Sequence, residues 1–273
     1  MISIVIPVVH GKYLDMVFKS IVNQSYSDYE VIVINDRSDH IISDIIKSYG
    51  FKELKYKGSL IEARYIGALS AKGNYILQLD ETRQLTKNYA LDKLNSINAD
   101  VIFIYETEII TNYLSKAAAI DKRISFNDRN IDEKMPFVLP RYYKKEIIIE
   151  SHKNLIRKLE DSYSKILAPE DLLVYTEARQ LIKKVGKIDE ALIAHHGDKR
   201  ALQIAKKYFR YGRSTALLRH TVYSELSQPS LYERYWVKLS NVNSFLEFAY
   251  LFPLWGIRGF SFLMGLRSLK KNV

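Results

Sequence analysis

The stretch "ISIVIPVVHGKYLDMVFKSIVNQSYSDYEVIVIND", residues 2–36, decides the fold class. It opens on an apolar run from Ile2 to Val9, the reading of a strand buried on both faces, and Pro7 helps to end it. Leu14, Val17, Phe18, Ile21 and Val22 then recur at helical spacing and make one apolar stripe. "YEVIVIND", residues 29–36, is a second apolar strand. Strand, helix and strand in so short a span predict two parallel strands joined by a crossover helix.

The alternation continues outward. "DHIISDIIKSYG" (39–50) reads as a helix capped by Asp39 and stopped by Gly50, and "ELKYK" (53–57) as a short strand. "SLIEARYIGALSAKG" (59–73) is a helix starting at Ser59, "NYILQLD" (74–80) a strand, "NYALDKLNSIN" (88–98) a helix and "ADVIFIYE" (99–106) a strand. This order predicts an α/β fold, a mostly parallel central sheet flanked by helices. Beyond residue 108 the pattern loosens. Residues 111–135 read as a polar loop region, "MPFVLPRYYKKE" (135–146) as a returning strand, 151–166 and 169–184 as helices, and "KIDEALIAHH" (187–196) as a strand running into a polar loop. The expected division is a domain over 1–198, with halves 1–107 and 108–198, and a helical C-terminal region over 199–273.

The chain of 273 residues has no cysteine, which excludes disulfides, thiolate metal sites and cysteine nucleophiles. "MISIVIPVV" has no basic leader, so a cytoplasmic protein is expected. The net charge of +10 is localised: residues 199–273 hold 13 Lys and Arg against three acids, and so carry the whole excess. That region also holds Trp236 and Trp255. A basic, aromatic end suits an anionic partner, a membrane surface or nucleic acid. "FAYLFPLWGIRGFSFLMGLRSLKK" (248–271) is interrupted by Pro253 and Arg258, so it is expected to lie in a membrane interface, with its Trp and Phe at headgroup depth and Arg267, Lys270 and Lys271 on anionic lipid. The other uses of that surface are packing of its aromatics back onto the preceding domain, or a homodimer contact.

In an open parallel sheet, ligands bind at the carboxyl ends of the strands. Three polar clusters fall at such ends: Val8-Val9-His10-Gly11, Asn35 to Asp39, and Asp80-Glu81-Thr82-Arg83. No Walker loop or GxGxxG is present. Carboxylates hold phosphate only through a cation between them.

These residues, in this order, resemble the opening of family 2 glycosyltransferases. The likeness is close over residues 2–86, through "SIVIPVV", "INDRSD", "EARYIGALSAKGNYILQLDE" and the Asp-x-Asp position at Asp80, and loose over 87–200. It implies a GT-A fold and inverting transfer from a nucleotide diphosphate sugar, of uridine or guanosine, to a glycan or polyprenyl-linked acceptor. Pro7 and Val9 would line base and ribose, Asp36 would bind the nucleobase, Arg64 would lie near the diphosphate, and Asp80 would touch ribose and metal. Asp171 would be the general base, in a pair with Glu170. Thr82 stands where the family has its second acid, so an Mn2+ or Mg2+ cofactor would rest on Asp80 and Glu81, with His195 completing the set, or give way to cations such as Arg83. The rival classes are a catalytically impaired nucleotide-sugar-binding protein and a basic nucleic-acid-binding module. Nucleic acid is not the expected partner.

Overall fold

The computed structural model describes residues 1–36, 40–126, 138–227 and 238–268. The predicted alternation forms in the first hundred residues. Strands β1 (Ile2–Val8), β2 (Tyr29–Asn35), β3 (Lys52–Lys55) and β4 (Tyr75–Gln78) are linked by helices α1 (Leu14–Val22), α2 (His40–Ser48) and α3 (Leu60–Ser70). Then come β5 (Arg83–Leu85), α4 (Ala90–Ser96), β6 (Val101–Glu108), α5 (Tyr113–Ser125), β7 (Tyr142–Lys144), α6 (Lys145–Leu159), α7 (Glu170–Ala178), β8 (Val185–His195), α8 (Ala201–Ala216) and α9 (Phe245–Ser268). The strands make one mixed sheet in the order β3-β2-β1-β4-β7-β6-β8-β5. β1 runs parallel to both β2 and β4, while β7 is antiparallel to β4 and β6. This is the expected Rossmann-like GT-A arrangement.

Alternation along β1 builds the two faces of the core. Ile2, Ile4, Ile6 and Val8 pack with α1, α2 and α4, whereas Val5 packs with residues of α3, α6 and α7. α3 starts on a capping box: Ser59 Oγ accepts from the Glu62 N–H at 3.4 Å, and Glu62 accepts from the Ser59 N–H at 2.8 Å.

Pro7 sits inside a central strand for a reason that register explains. β4 pairs with β1 only from Ile2 to Val5, and the Leu79 N–H then closes on the Val5 carbonyl at 3.1 Å. Odd positions of β1 therefore face β4 and even ones face β2, where Val8 accepts from the Asp36 N–H at 3.1 Å. Pro7 lacks its N–H on the side that β4 has left. The chain order also reverses between β1 and β4, so this gap is the topological switch point.

One expectation is corrected and two features are added. Residues 113–125 are helix, not loop, while 127–137 lie outside the described residues. The buried face of α5 is made of Ala117, Ala118, Asp121, Ile124 and two serines, too polar to register as an apolar stripe. Arg83–Leu85 is a strand, added antiparallel to β8 at the sheet edge. The C-terminal segment is one helix across Pro253. The Ala249 carbonyl that Pro253 cannot serve accepts instead from the Tyr113 hydroxyl.

α9 packs on α8 where glycines let the backbones touch. A Cβ on Gly212 or Gly265 would collide with the carbonyl of Phe262 or Phe209. Asp121 of α5 pins the other side of α9. It accepts from Trp255 Nε1 and Arg258 Nη1, each at 2.8 Å, and from Lys238 Nζ at 2.8 Å. Trp255 is thus buried against the protein, contrary to its expected place at headgroup depth. Trp236, Lys270 and Lys271 lie outside the described residues.

Candidate active site

The switch point gathers the sequence-predicted residues from three strand ends. Pro7 is buried in β1, and Val9, half-buried, leaves it. Asp36 follows β2 and accepts from the Gly58 N–H at 3.3 Å. Its neighbour Asn35 turns inward to Glu53 at 2.8 Å and Ser43 at 3.3 Å, while Arg37 to Asp39 lie outside the described residues. Asp80 follows β4.

The loop after β4 divides its two carboxylates. Asp80 Oδ1 accepts from the Thr82 N–H at 3.0 Å and from Thr82 Oγ1 at 2.5 Å, and its Oδ2 pairs with Arg83 Nη1. Thr82 therefore holds Asp80 in place. Glu81 turns the other way, accepting from the His10 N–H at 2.9 Å and from the Gly11 N–H, and so ties down the turn after β1.

From Asp80 an ion network crosses the sheet. Arg83 Nε donates to Glu106 at 2.8 Å, and Arg141 Nε donates to the same oxygen at 3.1 Å. Lys122 Nζ bridges Glu106 at 2.5 Å and Glu108 at 2.6 Å, and Glu108 holds His195 Nδ1 at 3.0 Å. Arg141 Nη1 lies 4.0 Å from Asp171 Oδ2, while Arg64 Nη1 contacts Asp171 Oδ1 and stands 3.5 Å from Glu170. Asp171 and Glu170 open α7, where acids favour the helix dipole. Buried Arg64 keeps its Nε without a hydrogen-bond partner.

Charge and burial separate the two acids of α7. Burial and the neighbouring Asp171 push Glu170 up to about 7, with Arg64 opposing. Burial would also raise Asp171, but Arg64, Arg141 and Arg83 outweigh it and hold this carboxyl below its usual range. Asp171 is thus ionised at neutral pH beside a carboxyl that titrates there. The cations outweigh burial at Glu106 as well, which stays well below the carboxylate range. His195 is pushed down to about 4 by burial and then by Arg83, so it is a neutral imidazole.

Asp171 also lines a cavity of about 490 Å³. Glu106, Lys122 and Arg141 stand with it, and Phe126, Tyr208, Tyr211 and Trp255 supply aromatic walls. The arrangement suits a ligand with a charged end at Asp171 and a carbon-rich body.

As placed, Asp80, Glu81 and His195 do not make a ligand set for a divalent ion. Asp80 is held by a guanidinium, both Glu81 oxygens by backbone amides, and His195 by Glu108. Among the described residues there is no group of three or more His, Asp or Glu able to hold a metal. A guanidinium stands where the ion was expected.

Sequence reasoning overlooked Glu106, Glu108, Lys122 and Arg141. Glu106 and Glu108 had one available signal, since they end an otherwise apolar strand as Asp80 does. Lys122 and Arg141 had none, because each sits in a segment whose structure was misread or only loosely read.

Residues 3–104 match the family described as Glycosyl transferase family 2. The match carries β1 through the first half of β6, and with them Asp36, Arg64, Asp80 and Arg83. Solved structures extend the likeness in shape to the whole chain. Mannosyltransferase PcManGT from Pyrobaculum calidifontis, in complex with GDP-Man and Mn2+, superposes with a TM-score of 0.60 at 11% identity, covering 100% of this chain and 88% of its own. TarS 1-349 of S. aureus, in complex with UDP-GlcNAc, gives 0.56 at 14% identity, covering 97% of this chain and 81% of its own. At such identities the likeness shows a shared fold. Comparison with curated proteins gives no match. Arg141, Glu170 and Asp171 fall beyond the matched segment.

Proposed function

We propose that the protein is an inverting hexosyltransferase that moves a sugar from a UDP- or GDP-sugar to an acceptor hydroxyl or lipid phosphate. It would act in surface glycan or glycolipid assembly, on the cytoplasmic face of a membrane. One observation carries this reading: Asp171 stands between the donor edge, through Arg64, and a cavity able to take an acceptor. The fold shared with sugar-nucleotide complexes of TarS and PcManGT supports the donor class.

In this reading Pro7 and Val9 line the base and ribose, and Asp36 hydrogen-bonds the base. The diphosphate lies along Arg64 and Arg83, with Arg141 beyond. The acceptor hydroxyl attacks the anomeric carbon from the cavity as Asp171 Oδ2 takes its proton. The bond from that carbon to the phosphate oxygen breaks, and the nucleoside diphosphate leaves against fixed guanidinium charge. A lipid phosphate acceptor is already ionised and needs no base. The mechanism routes no step through a metal.

The test is a thermal-shift panel of nucleotide sugars, followed by mass analysis of donor consumed, because a ligand bound by the native state raises its melting temperature. No shift with any UDP- or GDP-sugar would sink the reading. A shift without turnover on glycan or polyprenyl phosphate acceptors would favour a binding protein, the alternative suggested by the Asp80–Arg83 pair.

A further inference from the structure

The buried side of α9 is accounted for by Gly265, Trp255 and Arg258; its outer side is not. Phe245, Ala249, Phe252, Pro253, Gly256, Phe260 and Met264 form one continuous exposed stripe without a charge, closed by exposed Arg267. Phe245, Phe252 and Phe260 are 85%, 64% and 70% exposed. At 1.5 Å per residue the stripe runs for roughly 28 Å. Single exposed apolar residues are ordinary, but three phenylalanines in line are not.

Beside it lies a cationic stripe. α8 contains no acid, and Lys206, Arg210 and Arg213 are exposed along it, whereas Lys207 is paired with Asp198 at 3.2 Å. Lys206 and Arg210 share an open groove with Phe260 and Met264. α9 has one acid, Glu247, and it is taken by Arg123 at 2.7 Å. The outer face of the helix pair is thus apolar along one helix and positive along the other. No described helix is long and apolar enough to cross a membrane.

We infer that this face docks on an anionic lipid surface, with the phenylalanines of α9 in the headgroup–acyl boundary and Lys206, Arg210 and Arg213 on lipid phosphates. The inference rests on the membrane placement proposed above and names the surface that makes the contact. Apolar burial and phosphate attraction act together in such a contact. A second copy fits less well, because a two-fold contact through this face would bury two sets of Lys206, Arg210 and Arg213 while neither helix offers an unpaired acid to meet them.

The test is co-sedimentation of the full chain with phosphatidylcholine vesicles, with and without phosphatidylglycerol. Binding is expected only when phosphatidylglycerol is present. Phe252→Ser with Phe260→Ser, and separately Lys206→Glu with Arg210→Glu, are each expected to lower it about tenfold or more. All four positions are exposed, so melting temperatures should hold. Donor-induced thermal shifts should also persist in these variants, so loss of docking and failure of the transferase reading are told apart. No binding to the anionic vesicles, or binding unchanged in both variants, would overturn the inference. So would a dimer in light scattering that Phe252→Ser with Phe260→Ser converts to monomer while vesicles are ignored.

Discussion

Arg64 of α3 and Asp171 of α7 meet as an ion pair although 107 residues separate them. The contact ties α3 to the wall of the cavity that Asp171 lines, and the second oxygen of Asp171 lies 4.0 Å from Arg141. In the proposed role of base, Asp171 must stay ionised while buried, and Arg64, with Arg141 and Arg83 beyond it, holds it so.

Asp171→Asn should therefore separate chemistry from binding. The amide keeps the size and the Arg64 neighbour but cannot take a proton. Turnover on a hydroxyl acceptor should fall by about 10²–10⁴-fold, while donor affinity changes little. Single-turnover kinetics beside donor titration calorimetry measures both. An equal fall in donor affinity would mark Asp171 as part of the donor pocket.

Glu170 gives a pH signature of its own. Its folded pKa of about 7 lies above the ordinary 4.5, so the folded state holds the proton more tightly. Its contribution to stability is full below pH 4.5 and is lost as pH rises through 7. Glu170→Gln, always neutral, removes that loss. The variant should match the wild type near pH 4.5 and exceed it at pH 8, by up to roughly 3 kcal/mol, in urea denaturation at each pH. Parallel profiles for the two proteins would refute the raised pKa.

Arg83 in the place of an ion predicts chemistry that tolerates a chelator. Transfer in excess EDTA should stay within about two-fold of the untreated rate, while Arg83→Ala should cost about 10²-fold or more. Thr82→Asp combined with Arg83→Ala restores an acid and removes the competing guanidinium. That protein should bind Mn2+ more tightly than the wild type in calorimetry. Abolition of wild-type activity by EDTA, restored by Mn2+, would put the metal back at Asp80.

Asp121 tests how α9 is held. Burial opposes its ionisation, but Lys238 and Arg258 outweigh this and keep its carboxyl well below the usual range. Its contribution is therefore present above pH 4 and lost as pH falls below the ordinary carboxylate value. Asp121→Asn removes the carboxylate charge that Lys238 and Arg258 share at a buried site and should destabilise by about 3–5 kcal/mol at pH 7. Chemical denaturation reads the loss, and it should shrink in acid.

The sequence by itself determined the first half of the sheet. Short apolar runs and the helical stripes between them place β1 to β4 to within two residues, because a strand buried on both faces and an amphipathic helix are each local patterns. Glu170 and Asp171 were legible too, since acids at a helix start are a local feature. The tertiary structure decided which carboxylates remain available. Nothing in "DETR" says that Glu81 turns to the amides of His10 and Gly11 while Asp80 takes Arg83, because those partners come from other strand ends and from the fold of the loop. It also decided the fate of the C-terminal residues. Composition treats Trp255 and Phe260 alike, but helical rotation buries one on Asp121 and leaves the other exposed, a matter of which neighbour each side of α9 meets.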